Sequence, residues 1–304
     1  MNRVSSARSM RARTCIVTGA NSGIGKETTR GLASLGATVV LACRNRERGE
    51  AVRRAIEAET GNRGLAVMDL DLARLASVRA FVRAFTAEHE RLDVLVNNAG
   101  IYTAKRTLTE DGVESTFATN HLGHFLLTNL LRETLAASAP SRVVCVASEA
   151  SQFGKIHFDD LSLARRWSGF RAYCQSKLAN VLFAAELARR WPGTVTANAL
   201  HPGGVRTNFA RHHGGWMGVG FRLAWPFLIS AAKGADTVVW IASSPEIDRV
   251  SGQYFEKRRP IAPNPIARDA AVARRLWEVS EAMAGLGAGG PLLKPSERPV
   301  LTPP

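Results

Sequence analysis

The segment TCIVTGANSGIG, residues 14–25, decides how the rest of the chain can fold. An apolar run typical of a buried strand leads directly into a turn that holds Gly19, Gly23 and Gly25, and a helical pattern follows over 24–35. Without Cβ atoms, such a turn lets backbone N–H groups and the positive end of the helix approach a pyrophosphate closely. The segment therefore predicts a dinucleotide site, although a purely structural turn would also use glycine.

The spacing of these glycines differs from that of a triphosphate-binding Walker loop. Aligned on Gly25 and Lys26, a Walker loop would need glycine where Ala20 stands and serine or threonine where Glu27 stands. Hydrolysis of a nucleoside triphosphate is therefore disfavoured.

Outward from this segment, short apolar runs alternate with longer amphipathic stretches. The predicted strands cover 14–19, 37–43, 64–70, 92–98, 142–148, 195–203 and, last, 252–255. The predicted helices cover about 24–35, 45–59, 75–89, 113–136, 170–190 and 231–243. Continuous apolar runs suit strands buried on both faces, and helices of this length suit crossovers between parallel strands. The pattern predicts an α/β fold, a doubly wound parallel sheet of the Rossmann type in a single domain.

The predicted domain covers residues 13–283. Residues 1–12 contain arginine and serine without an apolar segment, and they predict a disordered basic lead-in. Residues 284–304 are rich in glycine and proline and predict a flexible tail.

The net charge of +14 raises the question of nucleic acid as a partner. The basic residues are spread along the whole chain and form no stripe, so we expect no nucleic-acid partner. The four cysteines, at 15, 43, 145 and 174, form no CxxC pair, and no secretory signal precedes them. We therefore expect reduced thiols in a cytoplasmic protein, without a disulfide framework or a zinc site.

The end of the second predicted strand bears on which dinucleotide binds. A carboxylate about twenty residues after the glycine turn would bind the adenosine ribose of NAD, whereas arginine there would accept a 2′-phosphate. Here Cys43 is followed by Arg44. The sequence therefore predicts NADP(H), with NAD(H) as the open alternative.

Three motifs identify a family that this chain resembles. TGANSGIG at 18–25, NNAG at 97–100 and YCQSK at 173–177 resemble, in order and spacing, those of the short-chain dehydrogenase/reductase family. The resemblance extends from about residue 13 to 255.

Three further stretches narrow the resemblance to one branch of that family. NHLGHFLLTNLL at 120–131, AYCQSKLANVLF at 172–183 and HPGGVRTN at 201–208 look like the retinol dehydrogenase branch. The resemblance implies an NADP(H)-dependent oxidoreductase that interconverts a lipophilic alcohol and its aldehyde or ketone.

Tyr173 and Lys177 stand four positions apart, so a helix places them on one face. An ammonium near a phenol favours the phenolate, so we expect Lys177 to lower the pKa of Tyr173 from its ordinary value of about 10. The resemblance implies that Tyr173 is the general acid/base, that Lys177 also holds the nicotinamide ribose, and that Ser148 hydrogen-bonds the substrate oxygen. It also implies that Asn120 completes a proton relay through a water. Without the other motifs, a Tyr–Lys pair of this kind is more often a solvated helix face.

The resemblance also assigns the residues that would contact the cofactor. They are Gly19, Asn21, Ser22, Gly23, Ile24, Gly25, Arg44, Asp69, Leu70, Asn97, Ala99, Gly100, Tyr173, Lys177, Pro202, Gly203, Val205 and Thr207. Within this set, Asp69 and Leu70 would contact adenine. No metal is expected, because His121 and His124 have no third ligand at a suitable spacing, and packing or helix hydrogen bonds are the favoured interpretation.

Residues 208–230 are expected to form a lid over the substrate, and their aromatic and aliphatic side chains suit a lipophilic small molecule. The overlapping stretch 214–232 is interrupted by Arg222 and Pro226, which makes it a poor spanning helix and leaves peripheral membrane contact open. The alternatives are a steroid, polyketide or xenobiotic carbonyl as substrate, or a non-catalytic dinucleotide-binding redox sensor. The resemblance is compatible with a homodimer or a homotetramer.

Overall fold

The computed structural model describes residues 9–193, 195–205 and 229–286. The strands in these ranges are β1 (Thr14–Thr18), β2 (Thr38–Cys43), β3 (Leu65–Asp69), β4 (Val94–Asn97), β5 (Ser141–Val146), β6 (Val195–Leu200), β7 (Tyr254–Glu256) and β8 (Arg259–Pro260). They form one eight-stranded sheet in the order β3-β2-β1-β4-β5-β6-β7-β8. All neighbouring strands are parallel except β7 and β8. The predicted doubly wound parallel sheet is confirmed, and its strand order reverses between β1 and β4.

Helices cover both faces of this sheet. They are α1 (Gly23–Ser34), α2 (Arg46–Thr60), α3 (Leu75–Glu88), α4 (Ser115–Phe117), α5 (Gly123–Leu130), α6 (Arg132–Ala137), α7 (Gly169–Arg190), α8 (Ala231–Ser243) and α9 (Ala270–Met283). A π turn (Ala118–Leu122) and three short 3₁₀ turns, Glu149–Phe153, Pro245–Ile247 and Pro265–Arg268, complete the described elements.

Two apolar cores lie on opposite faces of the sheet because its strands are buried on both sides. One core gathers side chains of α3, α5, α7 and α9, such as Phe85, Phe125 and Trp277. The other gathers those of α1, α2 and α8, such as Leu32 and Ile56. The helices thus fix the positions of the strand ends. The carboxyl ends of β1, β4 and β5 meet at one edge of the sheet, where a doubly wound fold binds its ligand.

The prediction of a single helix over 113–136 is wrong, because the helix is interrupted there. It passes from α4 through the π turn into α5, and α6 follows after Leu131. The helix also starts late, since Leu108 and Glu114 pair as an isolated bridge and the Glu114 carboxylate accepts from the Phe117 N–H at 2.9 Å. The sequence could not reveal the π turn, because all residues from Gly123 to Thr128 are buried and the apolar period is blurred.

Helix α9 was not expected from the sequence. Prolines at 260, 263 and 265 precede it and suggest irregular chain. Asp269 nevertheless caps the helix, accepting from the N–H groups of Ala271 and Val272. The helix then packs on α7, so the ordered chain continues well past the last predicted strand.

Packing extends slightly beyond the predicted bounds 13 and 283. Met10 is buried, and its N–H donates to the Leu35 carbonyl at 2.8 Å. Ala284 is buried as well, and its carbonyl accepts from Arg79 Nη2 at 2.8 Å. Among the helices of the described ranges, none is both long and apolar enough to cross a membrane. Residues 208–228 of the predicted lid, and with them 214–228 of the stretch 214–232, lie outside the described residues.

Candidate active site

The glycine turn after β1 has the shape that a phosphate cradle needs. Gly19 has φ +65° and Gly23 has φ +54°, a backbone conformation that favours glycine. A Cβ placed on Gly25 would lie 2.6 Å from Asn98 Nδ2, so any side chain there would clash. Helix α1 begins at Gly23 with its first N–H groups directed into this turn. The predicted residues of the turn therefore fit a dinucleotide pyrophosphate.

Thr18 fastens the NNAG turn to the end of β1. Its Oγ1 lies 2.9 Å from the Asn98 N–H and 3.0 Å from the Ala99 N–H, both of which donate to it. Asn98 Nδ2 in turn donates to the Thr18 carbonyl at 2.7 Å. Neither Thr18 nor Asn98 was among the predicted site residues, and only the threonine preceding Gly19 in TGANSGIG could have signalled this contact.

Asn97 does not line the cofactor cleft through its side chain. It is 2% exposed, and its Nδ2 donates to Thr128 Oγ1 at 2.9 Å on the buried side of the sheet. The alternation of a strand directs the Asn97 side chain into the core, and the prediction that Asn97 lines the cofactor stays a prediction. Gly100, by contrast, stands beside Lys177, since a Cβ placed on it would lie 3.3 Å from Lys177 Nζ.

The predicted adenosine end lies at the carboxyl ends of β2 and β3. Arg44 is exposed directly after Cys43. Asp69 is exposed, and its carboxylate pairs with Arg46 Nη1 at 3.4 Å. Leu70 is buried, and its N–H donates to the Cys43 carbonyl at 3.1 Å. The structure therefore brings Arg44, Asp69 and Leu70 to one rim of the sheet.

Tyr173 and Ser148 meet as hydrogen-bonded side chains. Burial raises the pKa of Tyr173 to about 12, although the bond with Ser148 opposes this shift. The expectation that the pKa of Tyr173 lies below its ordinary value is therefore wrong for this structure, because desolvation of the phenolate is the larger effect. At neutral pH Tyr173 is a protonated phenol, the form that can donate to a substrate oxygen.

Lys177 lies beneath Tyr173 on the same helix. Its Nζ is 5.7 Å from the centre of the Tyr173 ring and donates to the Val146 carbonyl at 3.0 Å. Burial lowers the pKa of Lys177 to about 8. Near neutral pH the amine thus still carries its charge, beside the phenol and the end of β5.

Asn120 is held in the π turn by three side-chain hydrogen bonds. Its Oδ1 accepts from the Ile101 N–H at 2.7 Å, and its Nδ2 donates to the Ile101 carbonyl at 3.0 Å and to Ser176 Oγ at 2.9 Å. Asn120 therefore joins the chain after NNAG to α7. The structure brings Asn120, Ser148, Tyr173 and Lys177 together, and their catalytic roles stay predictions.

The turn that carries Ser148 is clamped by residues that the sequence did not single out. Tyr254 Oη donates to the Ser148 carbonyl at 3.1 Å, and His201 Nδ1 accepts from the Glu149 N–H at 3.0 Å. Asn264 Nδ2 lies within 3.2 Å of the carbonyls of residues 151, 152 and 154. These partners are distant in sequence, so no local pattern could reveal them.

The segment HPGG continues from β6 toward the first turn of α1. Pro202 and Gly203 follow His201, and Gly203 has φ +89°. Val205 and Ile24 come together at Gly234, where a Cβ would lie 2.7 Å from Val205 Cγ2 and 3.5 Å from Ile24 Cγ1. The predicted contact Thr207 lies outside the described residues.

His121 and His124 are both buried and hydrogen-bonded. His121 Nε2 lies 2.9 Å from Ser280 Oγ, and His124 Nε2 lies 2.9 Å from Thr18 Oγ1. Burial lowers the pKa of His121 to about 3 and that of His124 to about 4, so both rings are neutral at physiological pH. Within the described ranges, no group of three or more metal-ligating side chains is found.

A glycine cradle at the switch point of a doubly wound sheet, together with a hydrogen-bonded tyrosine and serine and a buried lysine, defines a dinucleotide-dependent oxidoreductase. Residues 13–217 match the family model described as short chain dehydrogenase. The chain belongs to the short-chain dehydrogenase/reductase family and is an NAD(P)-dependent enzyme of its retinol dehydrogenase-like branch.

The chain is similar to two mammalian relatives and one solved structure. Retinol dehydrogenase 14 of Homo sapiens is 48% identical over 294 residues, which cover 91% of this chain and 88% of that protein. Dehydrogenase/reductase SDR family member 13 of Bos taurus is 49% identical over 286 residues, covering 92% and 75%. A crystal structure of an uncharacterized protein of Mycobacterium paratuberculosis has a TM-score of 0.76 and 39% identity, covering 92% of this chain and 96% of that one.

Proposed function

We propose that this enzyme uses NADP(H) to interconvert a lipophilic alcohol and its aldehyde or ketone. The observation that carries the proposal is the hydrogen bond between the half-buried side chains of Tyr173 and Ser148, with Lys177 Nζ 5.7 Å from the centre of the Tyr173 ring. A phenol held at the carboxyl end of the sheet can exchange a proton with a substrate oxygen there.

In the reductive direction, Tyr173 donates its proton to the carbonyl oxygen. When bound, NADPH would supply the hydride for the carbonyl carbon. Ser148 Oγ, which hydrogen-bonds Tyr173, turns its single proton from the phenol to the same oxygen and stabilises the charge that develops on it. Tyr173 becomes a phenolate as the alcohol forms.

Lys177 stabilises that phenolate. Its ammonium is fixed by the Val146 carbonyl and lies on the same helical face as Tyr173. Because the site is buried, a positive charge at this distance acts more strongly than it would in water. Lys177 therefore acts after proton transfer, when Tyr173 carries charge, and the Asn120 turn holds the helix that presents both.

The cofactor preference rests on Arg44. An exposed guanidinium after β2 can pair with a 2′-phosphate, and no carboxylate occupies its position. Arg44→Asp should lower the ratio of kcat/KM for NADPH over NADH by about tenfold or more, because a charge-assisted contact becomes a repulsion. Arg48→Asp, which makes the same charge change on an exposed residue of the same segment, is the matched control. Equal ratios in wild type and Arg44→Asp would contradict the preference.

The substrate class rests on the lipophilic alcohol in the name of the human relative and on the aromatic stretch 208–230. The test is NADPH and NADH oxidation by the purified protein with all-trans-retinal, a steroid ketone and an aromatic aldehyde. Retinal turnover with NADPH would support the proposal in full. A steroid ketone is lipophilic as well, so its faster turnover would keep the proposed class and assign a steroid in place of a retinoid; the bovine relative's name states no substrate. NADPH binding without turnover of any of them would contradict the substrate class.

A further inference from the structure

A buried histidine connects the cofactor cradle to the π turn that carries Asn120. His124 is 1% exposed, and its Nδ1 lies 3.0 Å from the Asn120 carbonyl. Its Nε2 lies 2.9 Å from Thr18 Oγ1, the same hydroxyl that accepts from the N–H groups of Asn98 and Ala99. One side chain thus bridges the Thr18 turn and the Asn120 turn, and its bond to Thr18 joins residues that are 106 apart in sequence.

The hydrogen bonds through His124 have one consistent direction. A carbonyl can only accept, so His124 Nδ1 carries the proton that the Asn120 carbonyl receives. Because burial lowers the pKa of His124 to about 4, the ring is neutral and its Nε2 accepts. Thr18 Oγ1 gives its single proton to this nitrogen at 2.9 Å, in preference to the Val96 carbonyl at 3.3 Å. Both lone pairs of Thr18 Oγ1 are then left for the NNAG turn.

We propose that His124 is a positioning residue, whose two ring nitrogens fix the NNAG turn and the Asn120 turn relative to each other. It acts through Thr18 on the turn that begins at Gly19, and through the Asn120 carbonyl on the π turn. The inference rests on the proposed function only in using NADPH as the ligand. Either bond alone would hold one of the two turns, so both nitrogens are required.

His121 offers a matched control in the same stretch of chain. It is also 1% exposed, and its Nε2 also bonds a hydroxyl at 2.9 Å. That hydroxyl belongs to Ser280 of α9, and the ring packs against Phe117 and Phe183. Replacing either histidine should cost comparable stability, but only His124 has partners in the site.

Two substitutions separate the two bonds of His124. An asparagine amide occupies the place of Nδ1, so His124→Asn keeps the donor to the Asn120 carbonyl and loses Thr18. A glutamine amide reaches the place of Nε2, so His124→Gln keeps Thr18 and loses the Asn120 carbonyl. Thr18→Val removes the hydroxyl, and Thr18→Ser restores it. His121→Asn and His121→Gln are the controls.

The experiment compares three quantities for each variant: the Kd for NADPH by fluorescence, kcat on a carbonyl that the wild type reduces, and the folded fraction. His124→Asn and Thr18→Val should raise the Kd by about tenfold, the effect of one buried hydrogen bond, while Thr18→Ser stays near wild type. His124→Gln should keep the Kd and lower kcat by about tenfold. The His121 variants should lower Tm without changing Kd or kcat per folded molecule.

Unchanged Kd and kcat per folded molecule in both His124 variants, with Tm losses equal to those of His121, would overturn the inference. If the His124 variants do not fold, equal NADPH affinities of Thr18→Val and Thr18→Ser would overturn it instead. If the wild type binds NADH but not NADPH, the cofactor proposal fails and the same comparison is made with NADH. The Kd measurement requires no substrate, so an unknown substrate leaves the decision intact.

Discussion

The two halves of α7 use their side chains in different ways. The first half holds Tyr173 and Lys177, polar groups that are desolvated and whose pKa values are shifted by burial. The second half holds Phe183 and Arg190, which pack against Trp277 of α9, with ring centres 5.8 Å apart for Phe183 and the guanidinium 4.5 Å from the Trp277 ring. One helix therefore carries costly polar burial at one end and ordinary stabilising packing at the other.

The difference shows how the fold can support a site that contains a buried amine. Burying a charged amine without full solvation costs free energy, which the chain must offset elsewhere. Helix α9 supplies such contacts through Trp277, which packs against Phe183 of α7 and against Phe125 of α5, with ring centres 4.9 Å apart for Phe125. Activity and stability should consequently be separable along α7, which three substitutions can test.

The largest expected effect is on turnover, and it concerns Tyr173 in the first half of α7. Tyr173→Phe should lower kcat by about 10²–10⁴-fold, because the proton donor is lost while the ring remains. The Kd for NADPH should stay near the wild-type value. Tyr102→Phe, on a second ring 6.0 Å from Tyr173, is the control and should keep most of the rate. Equal loss of binding and turnover in Tyr173→Phe would show that the tyrosine is structural.

The next effect is on stability, and it concerns the α9 residue that packs against the second half of α7. Trp277→Ala should lower the free energy of unfolding by about 3–5 kcal/mol, because it removes a buried ring from the core. The kcat per folded molecule should not change. Trp277→Phe keeps an aromatic ring and should recover much of the loss in urea unfolding. A drop in kcat at full folding would mean that the two halves are coupled.

The smallest effect is on the pH dependence of stability. Burial lowers the pKa of Lys177 to about 8, below its ordinary value of 10.5, so the unfolded chain binds the proton more tightly. The contribution of Lys177 to stability should therefore be complete above pH 10.5 and be lost as the pH falls through about 8. Urea unfolding at several pH values should show this rise with pH in wild type, and Lys177→Met should remove it. Identical slopes in both proteins would contradict the burial of this amine.

Much of the fold was predictable because its signals are local. The apolar runs of β1 to β6 are continuous in the sequence. The glycines of the first turn are required by positive φ at Gly19 and Gly23 and by the close approach of Asn98 to Gly25. The α9 helix and the π turn were not predictable, since prolines precede the first and buried residues surround the second. Their existence depends on tertiary packing, which a period of apolar residues does not record.

The candidate site was predictable as a set of residues and less so as an environment. The motifs placed Ser148, Tyr173 and Lys177 near one another, as the structure does. The direction of the Tyr173 pKa shift was missed, because the burial of a phenol cannot be read from its spacing to a lysine. The bond between Thr18 and His124 was missed as well, since it joins segments that are distant in sequence.

The π turn at Ala118–Leu122 makes the length of this segment matter as much as its composition. Each residue of a helix turns the next side chain by about 100°, so one residue more or fewer would rotate everything that follows. Asn120 now faces α7, His121 faces α9 and His124 faces β1. A single deletion would break this three-way alignment without altering any chemical group.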